Sequence, residues 1–136
     1  MEQKDYLMRE VEKIGLIMSA IRQKIFGGKE NIAITLEKQI KDAKDVLLNE
    51  ANFDLDNFLN STVQDSNKYI SSFIGFNNDN IEILANYLFQ IGLSNKSDNS
   101  KKYLEKALQL FELCSLQDKA YSFERESNMT IIKNYL

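Results

Sequence analysis

Apolar residues recur at the spacing of one helix face along most of the chain. In residues 3 to 26 they follow a strict 4-3-4-3-4 spacing that predicts one amphipathic helix. Its apolar positions are Leu7, Val11, Ile14, Met18, Ile21 and Ile25. Gly27 and Gly28 follow at once, and glycine can close a last helical turn without a steric penalty. Residues 29 to 52 repeat the pattern, so residues 3 to 52 predict an antiparallel helical hairpin.

Further helices are predicted beyond a break at residues 52 to 56, where Asp54 or Asp56 provides a helix cap. The third helix would bury Leu55, Phe58, Leu59, Val63, Ile70 and Phe73. Turn residues at 75 to 80 precede a fourth helix, which we expect to end at Gly92. The polar residues 94 to 100 predict a loop before a fifth helix, and a sixth helix with Ala120 begins after residue 118.

The pattern as a whole predicts an all-α fold of about six helices, arranged as antiparallel αα-hairpins in one domain over residues 1 to 136. Short connections suit antiparallel neighbours, in either a right-handed array of hairpins or a helical bundle. The composition favours helix as well, because the chain has no proline and only 5 glycines among 136 residues.

The C-terminal part, about residues 79 to 136, resembles a tetratricopeptide repeat. Two helix patterns carry the likeness: Leu84-Ala85 with Leu88, and the small-aromatic-small order of Ala107, Phe111 and Cys114. The chain departs from the family in lacking the signature tryptophan and proline, in having Ala85 in place of the usual glycine, and in its longer loop at 94 to 100. The resemblance implies a right-handed array that binds an extended peptide on its concave side.

Candidate partner-binding residues follow from that resemblance. Asn86 lies where the chaperone-binding members hold a peptide carboxylate with asparagine, whereas Glu82 lies where their lysine would be. Glu82 would repel a carboxylate, so we do not expect a peptide C-terminus as the ligand. Asn86, Gln90 and Arg125 are the predicted polar contacts to a partner.

The whole chain is also similar to a family of small helical domains from gut-type bacteria. The similarity rests on the stretches KDYLMR at residues 4 to 9 and YSFERE at residues 121 to 126. It supports a bacterial helical domain and implies no activity.

Catalytic chemistry is poorly represented in the composition. The chain has no histidine, so it lacks the commonest general base and the commonest transition-metal ligand. Cys114 takes a small packing position and is predicted to lie in the core. We therefore predict no catalytic residue, no metal site and no cofactor, and an enzyme would have to act through carboxylates alone.

Charge and hydropathy exclude two kinds of partner. The net charge is −3 and acidic residues lie among the basic ones, which argues against a nucleic-acid interface. No apolar run approaches the roughly 20 residues of a membrane-spanning helix. A single cysteine and an N-terminus unlike a signal peptide predict a cytoplasmic location.

Two functional hypotheses remain from the sequence. The first is a small helical protein–protein interaction module with an unknown protein partner. The alternative is a structural protein that self-associates through the first helix, for example as a homodimer with a coiled-coil seam. We favour a core role for that helix face, because three heptads are short for a coiled coil and Gly15 weakens the helix by about 1 kcal/mol.

Overall fold

The computed structural model describes residues 2–26, 36–94 and 98–136, which form seven α-helices and no strand. The all-α prediction is confirmed. The helices are α1 (Glu2–Phe26), α2 (Leu36–Ala51), α3 (Leu55–Asn60), α4 (Val63–Ser71), α5 (Asn78–Ser94), α6 (Asp98–Asp118) and α7 (Phe123–Tyr135). Within these residues, no helix combines the length and the apolar composition needed to cross a membrane.

The helices pack mainly as two pairs, α1 with α2 and α5 with α6. The ring of Phe89 lies 6.3 Å from that of Phe111, and the side chain of Asn78 donates to the carbonyl oxygen of Cys114 at 3.4 Å. Residue numbers thus rise along α5 as they fall along α6, which makes this pair the antiparallel hairpin that the sequence predicts. Helix α1 also packs on α5, α7 packs on α6, and α3 and α4 cover another part of α6.

One hydrophobic core draws residues from all seven helices. The predicted face of α1 contributes Ile14, Met18 and Ile21, which are 4%, 1% and 1% exposed, whereas Leu7 near its start is 46% exposed. The middle of this face, from Ile14 to Ile21, therefore belongs to the core of the single chain. Cys114 is fully buried, as predicted.

The region predicted as a third helix is two helices, because polar residues interrupt it. The backbone of Ser61 and Thr62 is extended, and the Thr62 hydroxyl accepts a hydrogen bond from the amide of Asp65 at 3.1 Å to cap α4. Asp54 caps α3 through the amide of Asn57, as expected. Val63 is predicted to lie in the core but is 59% exposed. It is the first residue of the separate helix α4, so it does not continue the apolar face of α3.

Three other boundaries differ from the prediction. Helix α5 continues past Gly92 to Ser94, because this glycine admits Leu104 of α6 and does not end the helix. Helix α6 begins at Asp98, inside the stretch predicted as a loop, and residues 95–97 lie outside the described residues. Helix α7 begins at Phe123, after the N-cap Ser122. The predicted turn at Gly27 and Gly28 falls in residues 27–35, also outside the described part of the chain.

Candidate functional site

Three helices run parallel to one another on one side of the molecule. Asn80 and Tyr87 of α5 donate side-chain hydrogen bonds to the carbonyl oxygens of Val11 and Met18 of α1, a constant offset of 69 residues. Because the offset is constant, α1 and α5 run in the same direction. Asn80 is 4% exposed and also donates to the Gly75 carbonyl oxygen. Its side chain therefore joins the start of α5 both to α1 and to the segment that precedes α5.

Helix α7 is parallel to α5 by the same criterion. Arg125 pairs with Glu82, and Asn128 donates to Asn86 at 3.2 Å, with offsets of 43 and 42 residues. Helix α5 therefore contacts α1 through one set of polar side chains and α7 through another. These contacts join residues far apart in sequence.

A groove of about 800 Å³ lies among these three helices. We call it the α1/α5/α7 groove, and it is lined by Met18, Ser19, Arg22 and Gln23 of α1, Ile83, Asn86, Tyr87 and Gln90 of α5, and Glu124 of α7. Met18 and Tyr87 are buried at its base, whereas Arg22, Gln90 and Glu124 are exposed. The lining thus combines an apolar base with polar and charged edges.

Two of the three predicted partner-binding residues lie in this groove. Gln90 is exposed, and Asn86 is half-buried with its side-chain nitrogen donating to the Glu82 carbonyl oxygen at 3.1 Å. The oxygen of the same carboxamide accepts from Asn128. Asn86 is therefore held in a defined orientation at the wall of the groove, while Gln90 presents its side chain to solvent.

The third predicted residue, Arg125, is 3% exposed and lies behind the groove. Its guanidinium donates to both Glu82 carboxylate oxygens, at 2.8 and 3.2 Å, and to Asp118 at 3.2 Å. The hydrogen bonds to Glu82 raise the pKa of Arg125, so this side chain stays charged. Arg125 thus has partners within the chain, and its contact with another protein remains a prediction.

The same ion pair changes the expected role of Glu82. The sequence suggested that this carboxylate would repel a peptide carboxylate, but it is paired with Arg125 and does not line the groove. The charged groups that do line it are Arg22 and Glu124, one of each sign. The groove lining therefore excludes neither an acidic nor a basic ligand.

Sequence reasoning did not identify the residues that α1 and α7 bring to the groove. Ser19, Arg22 and Gln23 share a polar side of α1, and Tyr87 lies within the apolar pattern of α5. The only available signal was the helical spacing of polar residues on α1. That signal indicates a solvated face equally well, because the pairing of α1 with α5 is invisible in the sequence.

The side chains of the groove offer hydrogen-bonding groups of several kinds. Carboxamides both donate and accept hydrogen bonds, as a peptide backbone does. Burial raises the pKa of Tyr87, and the nearby charge of Arg22 acts in the opposite direction. Burial also raises the pKa of the Cys114 thiol, to about 12, and this residue lies outside the groove. No group of three acidic or cysteine side chains among the described residues could hold a metal ion.

Comparison with protein-family models, with curated proteins and with solved structures finds no match for this chain.

Proposed function

We propose that this protein is a small helical interaction module of the tetratricopeptide type, which binds an extended peptide segment of a protein partner in the α1/α5/α7 groove. The observation that carries the proposal is the groove itself, which Asn86 and Gln90 of α5 line together with polar residues of α1. Parallel helices that line a groove while α6 packs antiparallel behind α5 suit an array of helical hairpins.

The side chains suggest how such a peptide is recognised. Gln23, Asn86 and Gln90 offer carboxamides to the backbone of an extended segment. Met18 and Ile83 offer an apolar base to those peptide side chains that point into the groove. The volume of the groove lies in the range of ordinary ligand sites, about 300 to 1,000 Å³. Arg22 and Glu124 add one charge of each sign, which favours peptides that carry both acidic and basic side chains.

We further propose a bacterial and cytoplasmic setting and no catalytic role. The free, buried Cys114 suits a reducing compartment. Burial and a raised pKa leave this thiol in its unreactive protonated form near neutral pH, which argues against a nucleophilic role.

Selection of peptides followed by mapping of their binding site tests this function. The full chain would be used to select binders from a library of displayed random peptides, and a selected peptide would be titrated into the ¹⁵N-labelled protein. We expect amide shifts concentrated at residues 18–23 of α1 and 83–90 of α5. Shifts concentrated on α2, α3 and α4 would contradict the proposal, as would a library that yields no specific peptide.

Self-association through α1 is a second candidate, and exposed apolar residues favour it. Tyr6, Leu7, Met8 and Leu16 are between 46% and 73% exposed on this helix. A homodimer would cover these side chains. Leu7 continues the face of Ile14 beyond the core, whereas Leu16 lies on the opposite side of α1 from the buried Ile14.

Light scattering across a concentration series distinguishes this candidate. If α1 mediates a dimer, Leu16→Glu should return it to the monomer mass, because a charge at an apolar interface is costly. Gln117→Glu, on an exposed position of α6, is the matched control. A wild-type protein that keeps its monomer mass at all concentrations would exclude the candidate.

A further inference from the structure

A second cavity, of about 480 Å³, lies between α6 and the corner where α3 meets α4. Three lysines line it, Lys101, Lys102 and Lys106, together with the single carboxylate of Glu105. We call this the lysine cavity. None of its lining residues belongs to the α1/α5/α7 groove.

Lys106 carries a buried positive charge whose hydrogen-bond partners, among the described residues, are all neutral. Its side chain is 6% exposed, and its ammonium donates to the Ser61 carbonyl at 2.7 Å, the Ser66 hydroxyl at 2.9 Å and the Gln109 side-chain oxygen at 3.1 Å. The same ammonium lies 5.5 Å from the centre of the Phe58 ring. Within the described residues, Lys106 forms no ion pair.

Such an arrangement leaves a charge that is hydrogen-bonded but not neutralised. Burial lowers the pKa of Lys106, and the charge of Glu105 opposes that effect. A buried ion is stabilised most effectively by an opposite charge nearby. An anion in the cavity would provide that charge without displacing the three neutral acceptors.

The edge of the cavity adds further positive charge. The Lys102 ammonium donates to Asn60 at 2.6 Å, and the Lys101 ammonium lies 4.0 Å from Glu105, so both have donors left for a ligand. Three ammonium groups and one carboxylate give the lining a net charge of +2. Leu59 and Val63 provide apolar surface beside these charges.

We infer that the lysine cavity binds a small organic phosphate, with the phosphate group among Lys101, Lys102 and Lys106 and the organic part against Leu59 and Val63. A phosphate dianion matches the net charge of the lining, and lysine is a common phosphate ligand in proteins. The volume lies within the usual range for small-molecule sites, about 300 to 1,000 Å³.

Titration of the full chain with phenyl phosphate and with inorganic phosphate tests the inference. The measurement is the change in amide NMR signals of residues 61–63 and 101–109, against sodium chloride at equal ionic strength. Both anions should produce saturable shifts beyond those of chloride, and phenyl phosphate should bind more tightly. The double variant Lys101→Gln, Lys102→Gln should weaken binding by about tenfold or more, since each charged hydrogen bond is lost.

A matched double variant controls for the loss of net charge. Lys41→Gln with Lys133→Gln removes two exposed lysines outside the cavity and should leave the affinity within about twofold. Lys106→Met tests the buried charge in a sample whose helical content is first verified by circular dichroism. Equal weakening by both double variants, or shifts no larger than those with chloride, would overturn the inference.

Discussion

Gly92 and Gly75 mark places where neighbouring helices leave no space for a side chain. A Cβ at Gly92 would lie 2.7 Å from two side-chain carbons of Leu104, and one at Gly75 would lie 2.6 Å from the carbonyl oxygen of Glu10. Contacts this short force neighbouring atoms to move, and backbone cannot move as cheaply as a flexible side chain. We infer that these two glycines set the distances from α5 to α6 and from Gly75 to α1.

Alanine substitutions should therefore have opposite effects at different glycines. We expect Gly92→Ala and Gly75→Ala to lower the free energy of unfolding by about 1 to 3 kcal/mol, the usual cost of overpacking. Gly15→Ala is the matched control, because its Cβ would meet Asn80 at an ordinary 3.7 Å. It should be neutral or stabilise the helix by up to about 1 kcal/mol. Urea unfolding followed by circular dichroism measures all three, and equal losses would contradict this interpretation.

At the scale of elements, Arg125 joins α5, α6 and α7 through Glu82, Ser115 and Asp118. Its planar guanidinium meets both oxygens of Glu82, a geometry that lysine cannot reproduce. This side chain thus fixes α7 against the two longer helices. It also keeps Asn128 in reach of Asn86 at the groove wall.

Removal of this guanidinium should loosen α7. We expect Arg125→Met to lower the free energy of unfolding by about 2 kcal/mol, since charged hydrogen bonds are lost and two carboxylates remain unpaired. Arg125→Lys should recover only part of that loss. The exposed Arg9→Met in α1 is the control and should change stability by less than about 0.5 kcal/mol. A loss at Arg125 no greater than at Arg9 would show that the ion pair does not fix α7.

Periodicity predicted the long helices well because their apolar faces are regular. The spacing of Ile14, Met18 and Ile21 matches the buried face of α1. Local chemistry was harder to interpret at the boundaries, where one residue type serves two purposes. Gly92 can end a helix or admit a neighbour, and Thr62 can lie within a helix or begin one. Tertiary packing decides between these uses, so the sequence alone could not.

At the scale of the whole molecule, both candidate sites depend on contacts between distant residues. The spacing that identified Asn86 and Gln90 lies within one helix, and the resemblance to tetratricopeptide repeats supplied their role. Arg22 and Glu124 reach the same groove from α1 and α7, which no local pattern could indicate. The buried position of Lys106 likewise depends on the fold, which places Ser61 and Ser66 against its ammonium group.

The affinity of a selected peptide for wild-type protein and two glutamine variants tests the groove most directly. Gln90→Arg adds a long, charged side chain inside the groove, and Gln64→Arg makes the same change on an exposed position of α4. With a fluorescently labelled peptide, anisotropy titrations should give about tenfold or weaker binding for Gln90→Arg. Gln64→Arg should stay within about twofold of the wild type. Equal affinity for all three proteins would contradict the assignment of the α1/α5/α7 groove as the peptide site.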